Sequence, residues 1–192
     1  IKEKIMVKWI IIVALSCNFT IFSQTRLGID ISGKYKLTAE GDSETYDVDK
    51  GAVIGYDYVA QKQDKIQLGV GGEYMFNRGI EEWSEGKAAF HSVYGFGKYF
   101  LDEKIYGYSR IGYNFHTGDD DYTECNECTL TLGGGLMFAF GGGFALTPNI
   151  RLEGQLVSHQ GDATVNFSES GYDDITLKLK YSRTSIGIIY TP

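Results

Sequence analysis

The chain has 192 residues, among them 25 glycines, 14 tyrosines and 11 phenylalanines but only 2 prolines, and its formal net charge is -7. That length suits one domain with a full core, and the glycine and aromatic content favours an all-β chain. The acidity excludes a nucleic-acid binder, which needs lysine and arginine clustered along one face.

Lys2, Lys4 and Lys8 precede "WIIIVALSCNFTIFS", an apolar run interrupted by Ser16, Cys17, Asn18 and Thr20. A spanning helix needs about 20 predominantly apolar residues, so residues 1–23 are read as a secretory signal cut after Ser23, and 24–192 as one mature domain. The rival reading is a lipoprotein signal in "ALSC" with Cys17 acylated.

From there the chain alternates with period two, the signature of strands with two unlike faces. The first strand, "RLGIDISGKYKLT", sets Leu27, Ile29, Ile31, Tyr35 and Leu37 against Arg26, Asp30, Lys34 and Lys36. The second puts Ile54, Tyr56 and Tyr58 opposite Asp57, and the third puts Ile66, Leu68, Val70, Tyr74 and Phe76 opposite Gln67, Glu73 and Asn77. In the fourth, Phe90, Tyr94 and Phe96 oppose His91; in the fifth, Ile111, Tyr113 and Phe115 oppose Arg110, Asn114 and His116. The sixth, "TLTLGGGLMFAFGGGF", carries Leu130, Leu132, Leu136, Phe138 and Phe140 on one face and Gly133, Gly135, Met137, Ala139 and Gly141 on the other. A phosphate loop would need a lysine followed by serine or threonine and then a helix, and no lysine follows until Lys178. The seventh sets Ile150, Leu152 and Leu156 against Arg151, Glu153, Gln155 and His159. The eighth begins with Ile175, Leu177, Leu179 and Tyr181 against Lys178 and Lys180, then passes through a bulge near Ser182 to Ile186, Ile188 and Tyr190.

The short connections "QKQD", "LDE" and "LTPN" alternate with the long acidic ones "EGDSETYDVDK", "RGIEEWSEGK", "GDDDYTECNEC" and "GDATVNFSESGYDD". The expected fold is an eight-stranded antiparallel up-and-down transmembrane β-barrel of the bacterial outer membrane, with short periplasmic turns and long extracellular loops. A greasy face beside a small or polar one suits a wall with lipid outside. The charges Arg26, Asp30, Lys34, Glu73, Arg110, Arg151, Glu153 and Lys178 would then point inward and pair, and Gly133, Gly135 and Gly141 would make room for them in a plugged lumen.

The run "GGGLMFAFGGGFALTPNIRLEGQL", with "YGFGKYF" and "RIGYNF", resembles the small outer-membrane barrels of the OmpA/OmpX type, and the resemblance covers 24–192. It implies an envelope structural protein, an adhesin or a narrow channel. It also implies a monomer among outer-membrane lipids and lipopolysaccharide, inserted by the barrel-insertion machinery. Members often end on an aromatic residue, a place that Tyr190 takes here.

The candidate sites have plainer readings. His91, His116 and His159 are expected on inward faces as hydrogen-bonded lumen residues. The His-x-Ser pair of one outer-membrane deacylase type is missing after each of the three, so no catalytic residue is assigned and a non-enzymatic role is expected. "CNEC" lacks a second ligand pair for zinc, and Cys125 and Cys128 are read as a loop disulfide. "DDDYTE" lacks the calcium-loop spacing, which leaves weak, diffuse binding of divalent cations along the acidic loops, with no built metal site and no cofactor. The leading function is a barrel that supports the envelope or presents its loops; the alternative is a narrow porin-like channel for small or apolar solutes. A soluble lipocalin-like binder would need the faces reversed.

Overall fold

A computed structural model describes residues 23–39, 42–80, 87–118, 128–167 and 174–192. Its strands are β1 (Ser23–Ala39), β2 (Asp42–Asp47), β3 (Ala52–Gln63), β4 (Ile66–Met75), β5 (Arg78–Gly79) and β6 (Lys87–Phe100). They continue with β7 (Ile105–Gly118), β8 (Cys128–Leu132), β9 (Gly135–Ala145), β10 (Ile150–Phe167) and β11 (Ile175–Tyr190). Eight of them, β1, β3, β4, β6, β7, β9, β10 and β11, pair antiparallel in that order, and β11 returns to β1 to close the ring. The other three are extensions at the long-loop rim. β2 folds back on β1, β5 pairs with β6, and β8 runs beside β10 where the expected sixth strand breaks at Gly133 and Gly134.

The three short connections form the opposite rim, as expected. Asp64, in the two-residue turn between β3 and β4, has φ 40°, a left-handed conformation that aspartate tolerates better than most residues. In the β6–β7 turn the Asp102 carboxylate accepts the backbone N–H of Lys104 and of Ile105, each at 2.7 Å, and these bonds hold it below the usual carboxylate range. Thr147 Oγ1 accepts the N–H of Ile150 at 3.0 Å in the β9–β10 turn.

The outer wall is greasy. Leu27, Ile54, Val70, Ile111, Leu136 and Leu152 all face out, and Phe140 is 62% exposed. Water would penalise such a surface, whereas a closed ring with every strand paired is one of the few structures a hydrocarbon solvent admits.

In three places the structure corrects the faces read from the sequence. β1 carries a bulge between Asp30 and Ser32, which reverses its phase, so Tyr35 points inward and Lys34 outward. β11, in contrast, keeps one phase throughout, without the expected bulge near Ser182; Leu179 and Tyr181 are buried, and Lys178 and Lys180 face out. In β6, Phe90, Tyr94 and Phe96 are buried in the lumen and His91 lies on the outer side, stacked on exposed Tyr74 at 4.5 Å. In β6 and β11 the cause is that part of the lumen is itself apolar, so greasiness does not mark the lipid face there.

Gly55 makes room for the Arg26 guanidinium, which a Cβ there would meet at 2.6 Å, but the inward glycines of β9 serve a different purpose from the one expected. A Cβ at Gly141 would run into the Gly154 carbonyl and the Tyr108 ring, one at Gly143 into the Tyr106 ring, and one at Gly135 into the Gln160 carbonyl. They admit tyrosines and neighbouring backbone rather than arginine and glutamate. Gly133 is roomier, its nearest neighbour being the Asp162 carbonyl at 3.3 Å.

Candidate functional site in the barrel lumen

Alternation places one or two polar side chains from nearly every ring strand on the axis. Arg26 and Asp30 come from β1, Asp57 from β3, Glu73 from β4, Lys98 from β6, Arg110 from β7, Glu153 from β10 and Arg183 from β11, with Arg78 reaching in from β5. All nine are buried. β9 supplies none, and its Met137, Ala139, Gly141 and Gly143 leave the space that the tyrosines of β7 fill.

These groups form one continuous ladder of alternating sign. At the turn end, Lys98 Nζ donates to Gln24 Oε1 at 2.6 Å and lies 3.3 Å from Glu153 Oε1, while the Tyr106 hydroxyl donates to the same carboxylate at 2.8 Å. Arg110 joins Glu153 at 3.0 Å to Asp57 at 3.5 Å. The Tyr94 hydroxyl donates to Asp57 at 2.8 Å and accepts from Arg26 at 3.0 Å, and Arg26 pairs with Glu73 at 2.7 Å. Glu73 also binds Arg183, which continues to Asp30 at 2.6 Å; Asp30 ends the ladder by pairing with Arg78 at 2.7 Å. Buried charges persist only when partnered in this way, because each would otherwise lose its hydration without return.

Above the ladder the lumen turns apolar. Tyr35, Met75, Ile80, Phe90, Leu179 and Tyr181 belong to one buried cluster. Phe90 stacks on Tyr181 at 5.1 Å and 8°, and His116 lies tilted against Phe90 at 4.4 Å. The result is two plugs in series, an ionic one and an oily one.

Of the expected inward charges, Arg26, Asp30, Glu73, Arg110 and Glu153 meet in the ladder, and Arg151 lies half-buried below it against Phe100 and Tyr106. Lys34 and Lys178 do not join; both are exposed on the outer side, a consequence of the β1 bulge and the unbroken β11 phase. Arg78, Lys98 and Arg183 are not among the expected inward charges, nor is Asp57, although alternation sets it opposite Ile54 and Tyr56. Lys98 and Arg183 each stand two residues from a buried aromatic on the same strand face, Phe96 and Tyr181, which is the signal that marks them.

His116 and His159 face inward as expected, and His91 does not; His116, however, is not hydrogen-bonded as expected, both of its ring nitrogens lacking a partner among the described residues where the ring lies among Phe90 and Tyr35. His159 is fully buried, with Ser92 Oγ 3.4 Å from Nδ1. Arg183 Nε donates to the other ring nitrogen, Nε2, at 3.5 Å. A guanidinium on Nε2 leaves the ring proton on Nδ1, so the imidazole donates to Ser92 instead of accepting its proton, the reverse of what an activated nucleophile requires. Among the described residues no group of three or more histidine, cysteine, aspartate or glutamate side chains comes together as a metal site. Of the acidic loop residues, Asp42, Glu44 and Asp47 lie on β2 and Asp49 just beyond it. Glu81, Glu82, Glu85, "DDDYTE", Cys125, Glu127 and the signal segment up to residue 22, with Cys17, lie outside the described residues, as does the side chain of Cys128.

No family model and no curated protein matches the chain. Solved structures do match. Neisserial surface protein A is 14% identical, with 88% of this chain and 97% of that chain covered at a TM-score of 0.52. The outer membrane protein OprG from Pseudomonas aeruginosa is 11% identical over 90% of this chain and 98% of its own, at 0.51. The outer membrane protein AlkL, solved in lipid bilayers, is 14% identical over 91% and 92%, at 0.54. At these identities the likeness is one of fold: the chain has the fold of the small outer-membrane β-barrels, as its resemblance implied.

Proposed function

We propose that this chain is an integral protein of the bacterial outer membrane with a plugged lumen, acting as an envelope structural element or presenting its long loops to a surface partner rather than conducting or catalysing. The observation that supports this most is the pair of plugs in series. An ion entering the lumen would have to displace the Arg78–Asp30–Arg183–Glu73–Arg26 ladder, and an apolar solute would have to part the packed rings of Phe90, Tyr181 and His116. The barrel works as a monomer, since the closed ring leaves no strand in it unpaired. The barrel-insertion machinery places it in the membrane, and divalent cations gather weakly along the acidic loops.

Two measurements test this. The folded protein in the outer-membrane fraction should migrate differently from the boiled chain on a detergent gel, because a closed hydrogen-bond network resists unfolding until heated; recovery in the soluble periplasmic fraction would sink the reading. In planar bilayers the purified protein should show no steady conductance. Stable open channels would establish the narrow porin instead.

A further inference from the structure

The charges that the fold turns away from the lumen gather in one place. On the outer side of the adjoining strands β1 and β11, Lys36 stands directly opposite Lys180, Thr38 opposite Lys178, and Lys34 opposite Ser182. Four exposed lysines gathered on two adjoining strands of a chain of net charge -7, at a rim that also carries Asp42, Glu44, Asp47 and Asp49, amount to a local reversal of sign. Like charges directly opposite each other across a ladder destabilise it unless an anion sits between them. Lys34 has Asp47 at 3.5 Å, but Lys36, Lys178 and Lys180 form no ion pair among the described residues, although Asp162 is the register partner of Lys178 on the other side.

Depth decides what that anion is. A tilted strand crosses the hydrocarbon in about 9–11 residues, and Lys180 stands roughly that far along β11 from Tyr190, past the greasy Ile188 and Ile186. The lysines therefore lie at the headgroup level of the outer leaflet. Two shallow grooves lead to them along the outer wall. One, of about 390 Å³, runs over Gly135 and Gly161 between Leu136 and the Lys178–Lys180 pair, with Asp162 also on its wall. The other, of about 370 Å³, is bounded by Phe138, Phe140 and Leu156 below and by Ser158, Ser182 and Lys34 above. Apolar floor below, hydroxyls at mid-height and ammonium groups on top match the order of groups along one lipid molecule.

We propose that the outer face of β10, β11 and β1 is a binding site for the phosphorylated headgroup of an outer-leaflet lipid, held by Lys36, Lys178 and Lys180. The lysines serve as point charges for phosphate, and the grooves take the upper part of the acyl chains. The site rests on the membrane reading above, and the experiment separates the two.

The chain is inserted into nanodiscs of phosphatidylcholine mixed equally with phosphatidic acid of the same acyl chains, and the lipid that stays bound is measured by native mass spectrometry. The wild-type barrel should retain the phosphomonoester over the choline lipid by about tenfold, a modest share of what three surface lysines can contribute. The K36Q/K178Q/K180Q variant should fall to parity. K62Q/K65Q/K104Q, which makes the same change of charge at the short-turn rim, should keep the preference. Parity in the wild type, or equal loss in both variants, overturns the headgroup site. Loss of the bound lipid on adding millimolar inorganic phosphate also overturns it, in favour of a site for free anions. The heat-induced gel shift, run on the same samples, reports insertion separately: a barrel that shifts but shows no preference removes only this site, and one that never shifts removes the membrane reading with it.

Discussion

Glu73→Gln should lower the unfolding free energy of the barrel by about 3–5 kcal/mol, the cost of breaking a buried ion pair by removing one partner. Glu73 is the junction of the ladder, bound by Arg26 at 2.7 Å and by Arg183 from the opposite side. The amide keeps the volume but leaves two guanidiniums facing each other out of reach of water. The exposed pair Lys34–Asp47, 3.5 Å apart, provides the contrast. Lys34→Gln should change stability by no more than about 0.5 kcal/mol, as exposed substitutions usually do. Urea titrations in lipid, read as the fraction of gel-shifted barrel, measure both. A loss at Glu73 no larger than that at Lys34 would mean that the ladder contributes nothing to stability.

Phe140→Arg is the second large effect, expected to cost roughly 2–4 kcal/mol, the penalty for a cation facing lipid near the midplane. Phe140 stands near the middle of β9 and is 62% exposed. Leu136→Arg places the same charge near the long-loop end of the same strand, beside the lysine groove, where the penalty falls to about 0–1 kcal/mol. This gradient with depth is the discriminating result, since a soluble barrel would show none.

Period-two alternation carried the architecture into view. The eight ring strands, the two unlike rims and the greasy wall all follow from which residues alternate and where alternation stops. Alternation shows that two faces differ, but it does not say which of them is inside. In β3, β4, β7, β9 and β10 the polar or small face is the lumen, and the inference holds. In β6 and the upper half of β11 the lumen is lined by Phe90, Phe96, Leu179 and Tyr181, and polarity then points the wrong way. The β1 bulge is equally hidden, because "DISGK" contains nothing that distinguishes a strand with one extra residue from a straight one; only the pairing of Asp30 with Ser185 and of Ser32 with Thr184 reveals it. The partners within the ladder were not legible either, since they depend on the stagger of strands far apart in the chain, as with Arg183 and Asp30.

The pairing of β1 with β11 has a consequence for the order in which the molecule can be made. One edge of β1, from Thr25 to Thr38, is paired by β11, from Tyr190 to Lys178, so the first strand of the ring waits for the last before that edge is covered. Every other ring pairing joins ring strands next to each other in sequence, so closure is the one step that must bring distant parts of the chain together, the kind that forms slowly because the intervening chain must first be brought round. Until then the growing sheet offers two bare edges and a hydrocarbon-coated face to every other unfolded chain in the same compartment. A molecule built this way must cross that compartment before it folds, and it depends on being kept from neighbours of its own kind until a membrane receives it.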